Sequence, residues 1–160
     1  MTSRLIIGLI VSVLIGSVSS TVSAASDPTN FLFRKLSFSS AENDQLFRKT
    51  IDEVDALEFE EAGANSNSLV ANVEADNRID GLTFARVLAN AAIIYAQLEQ
   101  PEVALELLNR SVSLVEEESV FHEDIYPLMM VKAQILIKQG ELAEAIDQLR
   151  RAQHIIHRYG

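Results

Sequence analysis

Three clusters in this chain carry side chains that do chemistry in other proteins. His154 and His157 stand three residues apart, a spacing that can put two imidazoles on one helix face for a metal ion. Arg150, Arg151 and Arg158 crowd the same stretch and disfavour a cation. With no third ligand evident, the pair reads as a basic helix end that complements the helix dipole. His122-Glu123-Asp124 has the residue types for acid–base work, but its place between two helical stretches makes it a connection that ends in a helix cap. Glu116-Glu117-Glu118 lacks the glycine-centred alternation of oxygen ligands that a calcium loop requires. There is no glycine-rich phosphate loop, no thiol, and no serine or histidine in a recognisable nucleophile setting. These residues predict no enzyme, cofactor, metal or small-molecule substrate.

The elements that hold these groups carry a clearer message. Ala91-Ala92-Ile93-Ile94-Tyr95, followed by Ala104 and Leu108, is echoed by Lys132-Ala133-Gln134-Ile135-Leu136, followed by Ala145 and Leu149. Alanine at 92, 104, 133 and 145 lets two helix backbones approach closely. Leu88, Tyr95, Leu98, Leu105 and Leu108 would fill the space around the first pair. Met129, Leu136, Leu142, Ile146 and Leu149 would do so around the second, each contributing about 1.5–3 kcal/mol if fully buried.

The spacing predicts helices over about 82–98, 101–117, 124–139 and 141–156. Asp80 and Asp124 are the expected N-caps, Pro101 opens the second helix, and Gln139-Gly140 ends the third. Tyr95 to Leu136 and Ala104 to Ala145 are both separated by 41 residues. The 34-residue period of tetratricopeptide repeats is shorter by about two helical turns, so the helices lengthen without losing the phase of their apolar faces.

Upstream, Ser39 and Glu42 have capping-box spacing. Leu46, Phe47, Ile51, Val54 and Leu57 follow at helical intervals, which predicts one accessory helix over 41–61 with Gly63 as its stop. Asp52, Glu53, Asp55, Glu58, Glu60 and Glu61 would form its solvated side. Ala64 to Ser68 reads as a turn by composition, and 69–73 fits either a short helix or an extended segment.

The first 24 residues have a different character. Arg4 precedes an apolar run from Leu5 to Val18, and Val22-Ser23-Ala24 suits cleavage. This predicts a secretory signal peptide; at about 14 residues the run is short for a permanent anchor, which needs about 20. Loss of Arg4 would move the net charge from −10 to −11. So acidic a chain is a poor match for nucleic acid. It contains no cysteine, which excludes both a lipid-anchored cysteine and a disulfide framework.

The long hairpins resemble the extended tetratricopeptide repeats of the kinesin light chain type. His122, Met129, Ala133, Leu136, Gly140, Ala145 and Ala152 fall at the offsets those repeats favour. The resemblance covers about residues 81–158. It implies an all-α fold: an α-α superhelix of helical hairpins with an N-terminal accessory helix. Residues 1–24 would be the signal, 25–40 a flexible segment, 41–80 accessory helix and linker, and 81–160 two hairpins. Ala92, Tyr95, Ala104, Leu108, Ala133, Leu136, Gly140, Ala145, Leu149 and Ala152 would be the repeat-packing set.

The resemblance also implies a partner-binding groove of Arg86, Ala89, Asn90, Ile93 and Gln97 with Met130, Gln134, Ile137 and Lys138. Its occupant would be a helix or extended peptide of another protein, or the chain's own helix 41–61. The expected function is a non-catalytic adaptor in the periplasm or outside the cell. The alternatives are a self-associating, homo-oligomeric accessory protein and a membrane-anchored adaptor with an uncleaved leader.

Overall fold

A computed structural model describes residues 28–119 and 122–159. The proposed leader and its cleavage site lie outside the described residues. The fold is all-α, with six helices and no strand among the described residues: α1 (Ala41–Asp55), α2 (Phe59–Ala75), α3 (Gly81–Gln97), α4 (Pro101–Glu118), α5 (Ile125–Gln139) and α6 (Leu142–Tyr159), preceded by a 3-10 turn at Pro28–Phe31. Each helix packs on the next, and α3 also touches α5. None of these helices is long and apolar enough to cross a membrane.

The helices therefore form three hairpins, one more than the sequence predicts. The three are closed by one kind of turn. Leu57, Glu99 and Gly140 all take left-handed backbone, with φ of 62°, 57° and 83°. The next residue's N–H in each case reaches back to the carbonyl five positions earlier: Glu58 to Glu53, Gln100 to Tyr95 and Glu141 to Leu136, at 2.8–3.0 Å. These bonds satisfy carbonyls that the helix end would otherwise orphan. Five residues past each turn stands a buried alanine, at Ala62, Ala104 and Ala145. Seven before each stands another small buried residue, at Thr50, Ala92 and Ala133. Small residues are thus buried on both helices of all three hairpins.

The first hairpin corrects several expectations. The single helix over 41–61 is broken at Leu57. Its N-cap is Ser40, one residue later than Ser39, accepting from the Asn43 N–H at 3.4 Å. Gly63 is not a stop but an interior residue of α2, where an added Cβ would lie 3.0 Å from Leu98 Cδ1. The 64–68 stretch is helical as well, because Ala62, Ser66, Leu69 and Val73 form a buried stripe. Glu53, expected on the solvated side, is buried, and both its carboxylate oxygens accept from Asn65 Nδ2, at 2.7–2.8 Å.

The later helices keep close to the expected bounds, but Asp124 does not cap and Leu142, Ile146 and Leu149 do not fill the space around the last pair. Asp80 caps α3, accepting from the Thr83 N–H at 2.9 Å and the Thr83 hydroxyl at 2.8 Å. That backbone N–H is the main reason the Asp80 carboxyl titrates below its ordinary range. Asp124 precedes α5 but makes no side-chain cap bond; its carboxylate is engaged elsewhere. On α6, Ala145, Ala152 and Ile155 are buried, whereas Leu142, Ile146 and Leu149 are exposed. Leu108, the counterpart of Leu149, is fully buried, because α5 packs on α4. Among the described residues, no later helix does the same for α6.

Candidate functional site

The residues that the sequence groups into a groove lie on α3 and α5, and part of that surface is already covered. Ala89, Asn90 and Ile93 are buried. The cover is not α1, which packs on α2. It is the segment 28–38, a strap whose 3-10 turn sits against both α3 and α5. Residues 28–40 are thus docked along the helices, in contrast to the flexible lead expected there.

The strap is held by its backbone as well as by its side chains. The Phe33 N–H donates to Asn90 Oδ1 at 2.8 Å, and Asn90 Nδ2 donates to the Phe33 carbonyl at 2.9 Å. One amide side chain on α3 thereby satisfies both polar groups of one strap residue, as a neighbouring strand would. Leu32 joins the same buried cluster as Ala89 and Ile93.

Arg86 adds a third hold. Its guanidinium lies 5.7 Å from the Phe33 ring centroid, and its Nε donates to Asp124 Oδ2 at 2.7 Å. A cation over an aromatic face and a bond to a largely buried carboxylate tie the strap, α3 and the start of α5 together. At the far end, Phe38 meets Phe47 edge to face with centroids 5.8 Å apart, and its N–H donates to Asp44 Oδ1 at 2.8 Å. Between these points Arg34 pairs with Asp55 at 2.9 Å, and its hydrogen bond holds the Asp55 carboxyl below its ordinary range.

The other half of the groove is more open. Gln97, Met130 and Gln134 are half-buried, while Ile137 and Lys138 are exposed. A recess of about 240 Å³ lies at this end, lined by Pro28, Ala96, Glu99, Pro101, Gln134, Ile135, Lys138 and Gln139. The groove is therefore filled by the strap around Asn90 and leads into a recess beside Pro28.

The three chemical candidates come out as follows. Asp124 is the partner of Arg86, and its backbone N–H donates to His122 Nδ1 at 3.2 Å. His154 and His157 are exposed on α6. Among the described residues no three His, Cys, Asp or Glu side chains gather in a way that would hold a metal ion. Of the repeat-packing set, Ala92, Ala104, Leu108, Ala133, Leu136, Ala145 and Ala152 are buried, Tyr95 is half-buried, and Gly140 and Leu149 are exposed.

Sequence reasoning missed the strap as an occupant. The signal was present in Phe31-Leu32-Phe33, an apolar cluster outside any helix that has to be buried somewhere. No known family model, curated protein or solved structure matches this chain.

Proposed function

We propose that this protein is an exported, non-catalytic adaptor of the tetratricopeptide type, which binds an extended peptide of another protein between α3 and α5. The observation that carries this reading is the two-point grip of Asn90 on the Phe33 backbone. A side chain that reads a main chain accepts any sequence able to lie extended, and the neighbouring apolar surface then selects a Leu32-like side chain. In this reading the strap occupies the place of the partner until it is displaced. The three matching hairpins support the repeat assignment, since such units need about three copies to bury a continuous core. Asp124, the best acid–base candidate, serves as an ion-pair partner for Arg86.

The test is a binding titration with a labelled peptide that copies residues 28–38. Leu32→Asp, which loosens the protein's own strap, is expected to bind the peptide, and Asn90→Ala added to it to abolish binding. Circular dichroism accompanies each variant. A helical, folded Leu32→Asp protein that ignores the peptide overturns the groove reading. Export is tested separately: the mature protein from its own cell is expected to begin at Ala25.

A further inference from the structure

The strap covers its groove unevenly. Around Asn90 the fit is complete: Leu32 is buried, and the amide of Asn90, a residue 5% exposed, is bonded at both ends to Phe33. Toward the start of the strap the fit ends. The recess of about 240 Å³ opens beside Pro28, among residues from the end of α3, the start of α4 and the end of α5. Its more buried lining is mainly apolar, with Pro28 and Ile135 buried and Ala96 and Pro101 half-buried. Its exposed lining is polar, and includes Glu99 and Lys138.

A peptide from another protein competes here with a segment that is tethered in place. Only Ser39 and Ser40 separate Phe38 from the first residue of α1. So short a tether keeps the strap at an effective concentration of about millimolar. A peptide that made only the strap's own contacts would need that concentration to displace it. A useful competitor therefore keeps what the groove requires and adds a contact. Asn90 sets one requirement, because its buried amide needs a donor and an acceptor from one main-chain residue. The site filled by Leu32 sets the other. The half-exposed Arg34–Asp55 pair adds little. The recess is where the strap leaves room for something more.

We propose that the partner's segment carries a tyrosine or tryptophan four residues before a leucine–aromatic pair, and that this ring fills the recess beside Pro28. The leucine and the aromatic residue take the places of Leu32 and Phe33, the latter beneath the Arg86 guanidinium. Pro28, four residues before Leu32, already lines the recess and so marks the position from which a larger side chain enters it. A ring with a polar tip suits a site whose inner lining is apolar and whose mouth bears Glu99 and Lys138. This inference rests on the adaptor reading and adds the residue pattern by which a partner is preferred to the strap.

Two peptides copying residues 28–38, one with Pro28→Trp and one with Pro28→Ala, are titrated into the protein, with circular dichroism on every variant. In Leu32→Asp, whose own strap is loosened, the tryptophan peptide is expected to bind about tenfold tighter, the effect of burying one large ring. Against the wild type it should compete at about a tenfold lower concentration than the alanine peptide. Adding Ala96→Phe to Leu32→Asp fills the recess from within; it should remove the gain and leave the alanine peptide's affinity as it was. The chain has no tryptophan, so the peptide's emission reports the site directly and should shift to the blue on binding. If neither peptide binds Leu32→Asp, the adaptor reading fails and this inference with it. Equal binding of the two, an unshifted emission, or a gain that survives Ala96→Phe overturns the inference alone. Tight binding of the tryptophan peptide only after residues 25–27 are deleted assigns the recess to the chain's own start, and overturns it as well.

Discussion

Removing the Asn90 side chain is the sharpest test of how the strap is held. Asn90→Ala deletes the acceptor for the Phe33 N–H and the donor to its carbonyl. Each group left without a partner costs about 1–3 kcal/mol, and at half-buried Phe33 each falls near the low end, about 1–1.5 kcal/mol. Leu32 and Phe38 remain in place, so the net loosening is about 2–3 kcal/mol, or about a 30- to 150-fold rise in the open population. Arg34 and Lys35 lie exposed within the strap and are trypsin sites. Cleavage there tracks the open fraction when reclosing is fast, so it should accelerate by that factor while the helices melt nearly as before.

Asn90→Asp sharpens the test. It keeps the acceptor and replaces the donor with an oxygen aimed at the Phe33 carbonyl. Protonation of that carboxyl restores a donor, so in this variant the strap should tighten as pH falls. Unchanged cleavage of Asn90→Ala would refute the two-point grip. Equal acceleration at sites throughout the helices would show that Asn90 supports the whole fold instead of the strap.

Asp80→Ala should cost about 1 kcal/mol in denaturant-induced unfolding at neutral pH, the usual loss of an N-cap. Because its carboxyl titrates lower in the folded state, the wild-type contribution is complete above the ordinary carboxylate range. It is lost as pH falls through the depressed folded value, so the gap between mutant and wild type should close in acid. Leu57→Gly should raise the melting temperature, since glycine adopts the 62° φ without the strain that leucine bears there, a gain of about 0.5–1 kcal/mol. Ala104→Leu and Ala145→Leu should each lose about 1–3 kcal/mol in chemical denaturation by holding neighbouring backbones apart. Equal stability of either variant with wild type would count against close approach at that hairpin.

The second and third hairpins were legible because their ends are written locally. Asp80 caps, Pro101 opens and Gly140 closes, and each acts through its own backbone chemistry. The first hairpin was not legible because it uses other residues for the same positions. Leucine stands at the left-handed turn, where glycine would have announced it. Thr50 and Ser66 occupy buried sites that read as polar surface. Asn65 and Asn72, which look like loop residues, bond to Glu53 and Asn43 across the hairpin. Gly63 is set by tertiary contact, with Leu98 of the next hairpin 3.0 Å from where its Cβ would be. No local window contains that fact. The residues on α3 that the sequence groups as a groove include Asn90, but what covers them comes from about 57 residues away in sequence, as the Phe33–Asn90 pair illustrates.

The strap and the exposed apolar face of α6 are two outcomes of one packing problem. A hairpin buries its small residues against itself and offers its large ones to the next hairpin, so Leu108 vanishes beneath α5 while Leu149, at the same offset from its turn, does not. The face shared by α3 and α5 has a different remedy, a segment without α-helix that carries Leu32 and Phe33 and is supplied by the same chain. That remedy works because Asn90 replaces the backbone pairing a lone segment lacks. On α6 the apolar residues Leu142, Ile146, Leu149 and Ile156 instead recur at helical intervals on an exposed face.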